Sequence, residues 1–293
     1  MSAPAMDSLP AGDAPPRGRR SRLGAYALWQ LRDYLLDKGI GLAMVMLFVL
    51  VSAYVPLRRE LFDAESLERL QPIVVRLYEE FVSWLALLGA LFATNGIVSD
   101  DRKQGYYRFL FAKPVRVPAF YAQKFAVHLG GHLLVATLLL ATFAMTVGRT
   151  NMQCGGHAGI ARLRCTLGYL WGYLDVSAVP YPSPALLLTL AMLFVALGGV
   201  GFLLSAAWRV DWLSFMTVYI VSKVLWGFFE RDAGWRGAAV HLLPPVHKLD
   251  GVYRALSRAE PLPMDDLRWL VLYGLACFVL GVVVVRRRPL AVS

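Results

Sequence analysis

Six stretches of this chain carry almost no charge, and each is about the length of a bilayer. Residues 39–57, 81–99, 125–148, 176–208 and 269–285 contain no Asp, Glu, Lys or Arg, and 212–229 contains Lys223 alone. A helix needs roughly 20 apolar residues to cross about 30 Å of hydrocarbon. In that medium the backbone must satisfy its own hydrogen bonds, which leaves helices or closed barrels as spanning structures. Each run can therefore hold one spanning helix, at about 1.5 Å rise per residue. Only 17% of the 293 residues are charged and 57% are apolar, which sets the chain apart from a typical soluble domain.

The run at 176–208 is too long for one crossing. Pro180, Pro182 and Pro184 divide it, since each disfavours helical geometry in the residue before it. The expected spans are therefore 39–57, 81–99, 123–148, 185–208, 212–229 and 269–285. Residues 1–21 are polar and Pro-rich, with no apolar core of signal-peptide type, and read as a disordered cytoplasmic tail. Residues 22–293 then form a single transmembrane domain, an all-α integral membrane protein. Ahead of the first span, "RLGAYALWQLRDYLLDKG" places Leu28, Leu31 and Leu35 at helical spacing with Arg32, Asp33 and Asp37 on another side. That pattern predicts an amphipathic helix in the inner interface, with plain extension of the first span as the alternative.

Lys and Arg set orientation by staying on the cytoplasmic side. With both termini inside, the inner segments hold 16 basic and 7 acidic residues, against 13 of each in the outer loops 58–80, 149–184 and 230–268. Arg286, Arg287 and Arg288, directly after the last span, are the strongest pin. The expectation is a multi-pass protein of a bacterial-type cytoplasmic (inner) membrane, with both termini in the cytosol. The formal charge of +10 then reads as orientation and contact with anionic membrane lipid, with no role in nucleic-acid binding.

Between the second and third spans lies "GIVSDDRKQGYYRFLFAKPVRVPAFYAQKF", residues 96–125, with six basic residues, two Asp, and aromatic groups of the kind that dominate protein interfaces. An acidic residue (Asp100 or Asp101) is followed by Gly105, the apolar pair Phe109 and Leu110, Pro114, Arg116, an aromatic (Phe120 or Tyr121) and Lys124. This order resembles the signature after the second span in permease subunits of type-2 ABC (ABC-2) exporters, although the family commonly has Glu at the acidic position. The resemblance covers the six-span plan, but sequence similarity is concentrated in 96–125. It implies that 99–119, including Arg108, is a cytoplasmic coupling segment docking on a separate ATP-binding subunit. It also implies that two permease copies or halves enclose the export path.

The chain has no G-x-x-x-x-G-K-[ST] phosphate loop, so ATP and Mg are expected on the partner subunit and no cofactor on this chain. No catalytic residue and no enzyme activity are expected, because the spans contain no Asp or Glu and no nucleophile motif. A thin wall of six spans makes a homodimer or paired permease the expected unit. A lipid-like or amphipathic cargo suits so apolar a path.

His128 and His132, one helical turn apart, either ligate a metal or haem, which is the alternative class, or pack and line the path. Two imidazoles make an incomplete site, so no metal ligand set is assigned. Lys223, eleven residues into its span, either recognises substrate, pairs with an acid on another helix, or snorkels outward. Cys154 and Cys165, in one outer loop, either form a disulfide or remain free thiols, while Cys277 reads as a small core residue. Asp211 beside Arg209 reads as a local inner-face pair or a second ATPase contact. The glycine-rich stretches 89–96 and 196–207 read as packing seams.

Overall fold

The computed structural model describes residues 19–63, 67–103, 117–147, 160–161, 184–208, 211–230, 234–258 and 260–287. Among these residues the architecture is all helical, and six helices are long and apolar enough to cross a membrane. The chain is an all-α integral membrane protein.

Helix α1 (Arg19–Tyr34) passes through one π-helical turn (Leu35–Gly39) into α2 (Ile40–Asp63), with helical backbone at both junctions and no loop between them. The Ile40 N–H reaches back to the Leu35 carbonyl, five residues away. A wider turn of this kind brings residues five apart towards one face. Tyr34 and Gly39 are accordingly both buried.

Helix α3 (Leu67–Thr94) leads through a turn at 95–98 into the short α4 (Ser99–Lys103), and α5 (Val117–Val147) carries the third span. Next come α6 (Pro184–Ala207) and α7 (Asp211–Phe229), separated by three residues. Pro184 opens α6 at the first helical position, where its missing N–H costs nothing. The short α8 (Trp235–Val240) and α9 (His247–Arg258) follow, split around Pro244 and Pro245, and α10 (Met264–Arg287) ends the described chain.

Helices α2 and α3 run well beyond their apolar stretches, so the expected loop at 58–80 is largely helical. Hydrocarbon thickness limits the apolar run, but nothing obliges a helix to stop where water begins. The Leu, Glu and Arg residues of "LERLQPIVVRLYEE" are good helix formers and carry α3 onwards.

The second and fourth spans are the central ones, with 67% of each apolar window buried, while the first and fifth are peripheral at 22% and 17%. Leu85, Leu190 and Leu193 fill the middle of the bundle. The most extensive helix pair is α6 with α10. Their backbones meet at Gly199 and Gly274, where a Cβ on Gly199 would stand 2.0 Å from the Gly274 carbonyl oxygen. Small residues allow this approach, and close backbone packing is what drives association where lipid is as apolar as leucine. Phe125, Phe194, Phe202 and Phe278 form an aromatic layer closer to the 95–98 turn.

Candidate functional site

The polar groups of the second span's far end gather around the turn at 95–98. Gly96 has φ +74°, a left-handed backbone open to glycine at little cost, and a Cβ there would also stand 1.7 Å from Asp100 Oδ2. The turn exposes backbone amides that no helix satisfies, and Asp211, the first residue of α7, crosses the bundle to meet them. Its buried Oδ2 accepts hydrogen bonds from the Gly96 N–H (2.8 Å), the Ser99 hydroxyl (2.7 Å) and the Ser205 hydroxyl (2.7 Å). Ser205 Oγ, fully buried on α6, accepts in turn from the Val98 and Ser99 amides at 3.2 and 3.4 Å. One carboxylate and one hydroxyl thus bind the turn to the fourth and fifth spans.

Two lysines close the other side. Lys124 on α5 donates to both oxygens of Asp101 at 2.8 Å and to the Ile97 carbonyl at 2.9 Å. The side chains of this ion pair are only 14% and 13% exposed, so both charges are largely withdrawn from solvent. Lys38, from the π-helical turn, donates to the Asn95 carbonyl. An anionic residue at the start of the 99–119 segment and a cationic residue just past its end are thereby locked together. The first, second, third, fourth and fifth spans all contribute a group to this joint.

The structure joins Asp101 with Lys124 out of the sequence-derived set and places Asp100 on the same short helix. Gly105, Arg108, Phe109, Leu110, Pro114 and Arg116 lie outside the described residues, as do Arg209, Cys154 and Cys165. Cys277 is buried and free. The role of Asp211 extends past a local pairing, to residues 112 and 115 positions earlier in the chain. Its position at the start of a helix after a three-residue link was the available signal, but a partner so distant in sequence is invisible locally.

His128 and His132 sit beneath this joint with separate surroundings. The Nδ1–H of His128 donates to the Ala93 carbonyl at 2.6 Å, with the ring 4.9 Å from that of Tyr34. His132 is fully buried and stacks on Phe194 at 5.2 Å, over Gly89. No third His, Cys, Asp or Glu joins them among the described residues.

Lys223 lies towards the opposite end of the bundle. It pairs with Asp250 of α9 at 3.3 Å, and both side chains are about half exposed. The pair borders a cleft of about 750 Å³ between α3, α7 and α9, also lined by Arg76, Glu79, Tyr219 and Tyr253. The α3 residues of this cleft are roughly 20–30 Å along the helix from the 95–98 turn. Close by, His247 packs on Trp226 with ring centroids 3.9 Å apart, and burial pushes its imidazole pKa down despite Glu230 and Asp266 nearby. No protein-family model, curated protein or solved structure matches the chain.

Proposed function

We propose that this chain is the membrane-spanning permease subunit of an ATP-binding cassette exporter of the ABC-2 type, coupled to a separate subunit that holds ATP and Mg. One observation carries the reading: the ends of the segment resembling a coupling helix are locked together by the Asp101–Lys124 pair, within a largely buried joint shared by five spans. A push on residues 104–116 by an ATPase that closes on ATP would load that joint. Because the Asp211 and Ser205 contacts are buried and directional, the load would pass to α6 and α7 as well as to α3 and α5. Tilting of these helices would then alternate access to a path between two permease copies. The export direction, the cytosolic placement of the joint and the pairing of two copies belong to the same proposal. They are supported by the sequence resemblance and the basic bias of the inner segments.

The test is to co-express the chain with any ATP-binding subunit that a neighbouring reading frame encodes, and to reconstitute both in vesicles. The wild-type chain should copurify with that subunit and stimulate its hydrolysis. Arg108→Glu should lower copurification about tenfold or more, the scale of reversing a charge at a protein contact, with no change in membrane insertion. Unchanged copurification and unchanged ATPase stimulation in Arg108→Glu would remove the proposal.

A further inference from the structure

The cleft at the other end of the bundle has a charge pattern that the permease reading does not use. Three cations, Arg76, Lys223 and Arg258, and three anions, Glu79, Glu80 and Asp250, line it, so its formal charge is zero. A cleft built for a simple anion or a simple cation would carry an excess of the opposite sign. Arg258 meets Glu260, outside the lining, at 3.9 Å, whereas four of the charges are paired within the cleft, Arg76 with Glu80 at 3.4 Å and Lys223 with Asp250 at 3.3 Å. All four of these side chains are at least half exposed. Exposed single contacts of this kind are weak, and a ligand offering both signs can replace them without stranding a charge.

A second observation points to a ligand. Tyr253, which lines the cleft, is only 4% exposed, and its hydroxyl has no hydrogen-bond partner among the described residues. A buried hydroxyl without a partner costs free energy that a bound polar group would recover. The cleft volume falls within the range of about 300–1,000 Å³ found for small-molecule sites. On α7, which supplies Tyr219 and Lys223, Ile220 and Val224 present exposed apolar surface from within a membrane-spanning helix. Acyl chains can lie along that surface while a headgroup occupies the cleft.

We infer that this cleft binds a zwitterionic amphiphile, a phospholipid whose headgroup carries an ammonium and a phosphate. The phosphate meets Arg76, Lys223 or Arg258, and the ammonium meets Glu79, Glu80 or Asp250. This binding uses no step of the export reading and is measured on the isolated full chain, so the two stand or fall separately.

The experiment is native mass spectrometry of the detergent-purified chain with equimolar dioleoyl phosphatidylethanolamine, dioleoyl phosphatidylglycerol and a dioleoyl trimethylammonium lipid. Phosphatidylethanolamine adducts should exceed each of the others by about threefold to fivefold, the scale of one half-exposed ion pair. Lys223→Gln makes the cleft net negative and should raise the share of the cationic lipid, while Glu80→Gln makes it net positive and should raise that of phosphatidylglycerol. Equal uptake of the three lipids by the wild-type chain, or an order that neither variant moves, would overturn the inference. The wild-type ranking decides the matter even if a variant inserts poorly. Glycerophosphoethanolamine, the same headgroup without chains, should fail to displace the lipid at equal concentration; equal displacement would show that no membrane lipid is the ligand.

Discussion

The two ends of the bundle hold the same kinds of charged residue and use them in opposite ways. At the 95–98 turn, Asp211, Lys124 and Asp101 are withdrawn from solvent, and each is engaged by two or more hydrogen bonds. In the cleft, Arg76, Glu80, Lys223 and Asp250 are half exposed or more and are held by single contacts above 3.2 Å. Burial makes a charge expensive to leave unpaired, so the first arrangement fixes geometry. Exposure makes pairs cheap to exchange, so the second leaves room for a ligand. The proposed transmission of force needs the former property, and the proposed lipid site needs the latter.

The comparison breaks most severely at Asp211. Asp211→Ala removes the acceptor for one buried amide and two buried hydroxyls, and should destabilise the chain by about 4 kcal/mol, since each stranded group costs roughly 1–3 kcal/mol. Reversible unfolding in SDS should show this as an early midpoint, with Asp211→Asn intermediate because it keeps one oxygen. A midpoint within error of wild type would mean that the joint is not structural. Lys124→Met should follow at about 3 kcal/mol, because it leaves the Asp101 carboxylate buried without its cation. Adding Asp101→Leu to Lys124→Met should recover most of that loss, and a double-mutant cycle measures the coupling directly. Additive losses from the two single changes would contradict a paired clamp.

How much of this was legible in the sequence depends on how local the cause is. The six apolar runs became six helices because hydrocarbon leaves the backbone no other open-chain solution. Helix ends were less visible: the charged residues after Leu57 suggest a loop, yet helix propensity carries α2 to Asp63 and resumes α3 at Leu67. In the joint, Asp101 and Lys124 were readable from their order in a motif-like segment, whereas Asp211 was not. Its neighbour Arg209 invites a local pairing, while its three donors lie on other helices or across a link. The cleft was visible only through Lys223. Arg76, Glu79 and Glu80 share an α3 face at helical spacing, but Asp250 and Arg258 join them only once α9 is folded against the bundle.

The smaller predictions sharpen the contrast from the cleft side. Lys223→Gln should cost less than about 1 kcal/mol, as expected of a half-exposed pair. A loss as large as that of Lys124→Met, read by the same SDS midpoint, would show that the cleft is as rigid as the joint and that the contrast is mistaken.

The smallest effect is set by pH. His247 is held below its ordinary pKa of 6.5, chiefly by burial and secondarily opposed by Glu230, while Lys248 and His241 lower it further and Asp266 raises it. The folded chain therefore binds this proton less readily than the unfolded chain does. Stability from His247 is fully present above pH 6.5 and declines as pH falls below it, because the unfolded state gains protonation first. No ionisable carboxylate of the joint is needed for this slope. Titration of the SDS midpoint between pH 7.5 and about 5.5, around the imidazole value, should show a modest decline that His247→Gln flattens. A slope of equal size in His247→Gln would assign the pH dependence to another group and leave the α9 end of the cleft insensitive to acid.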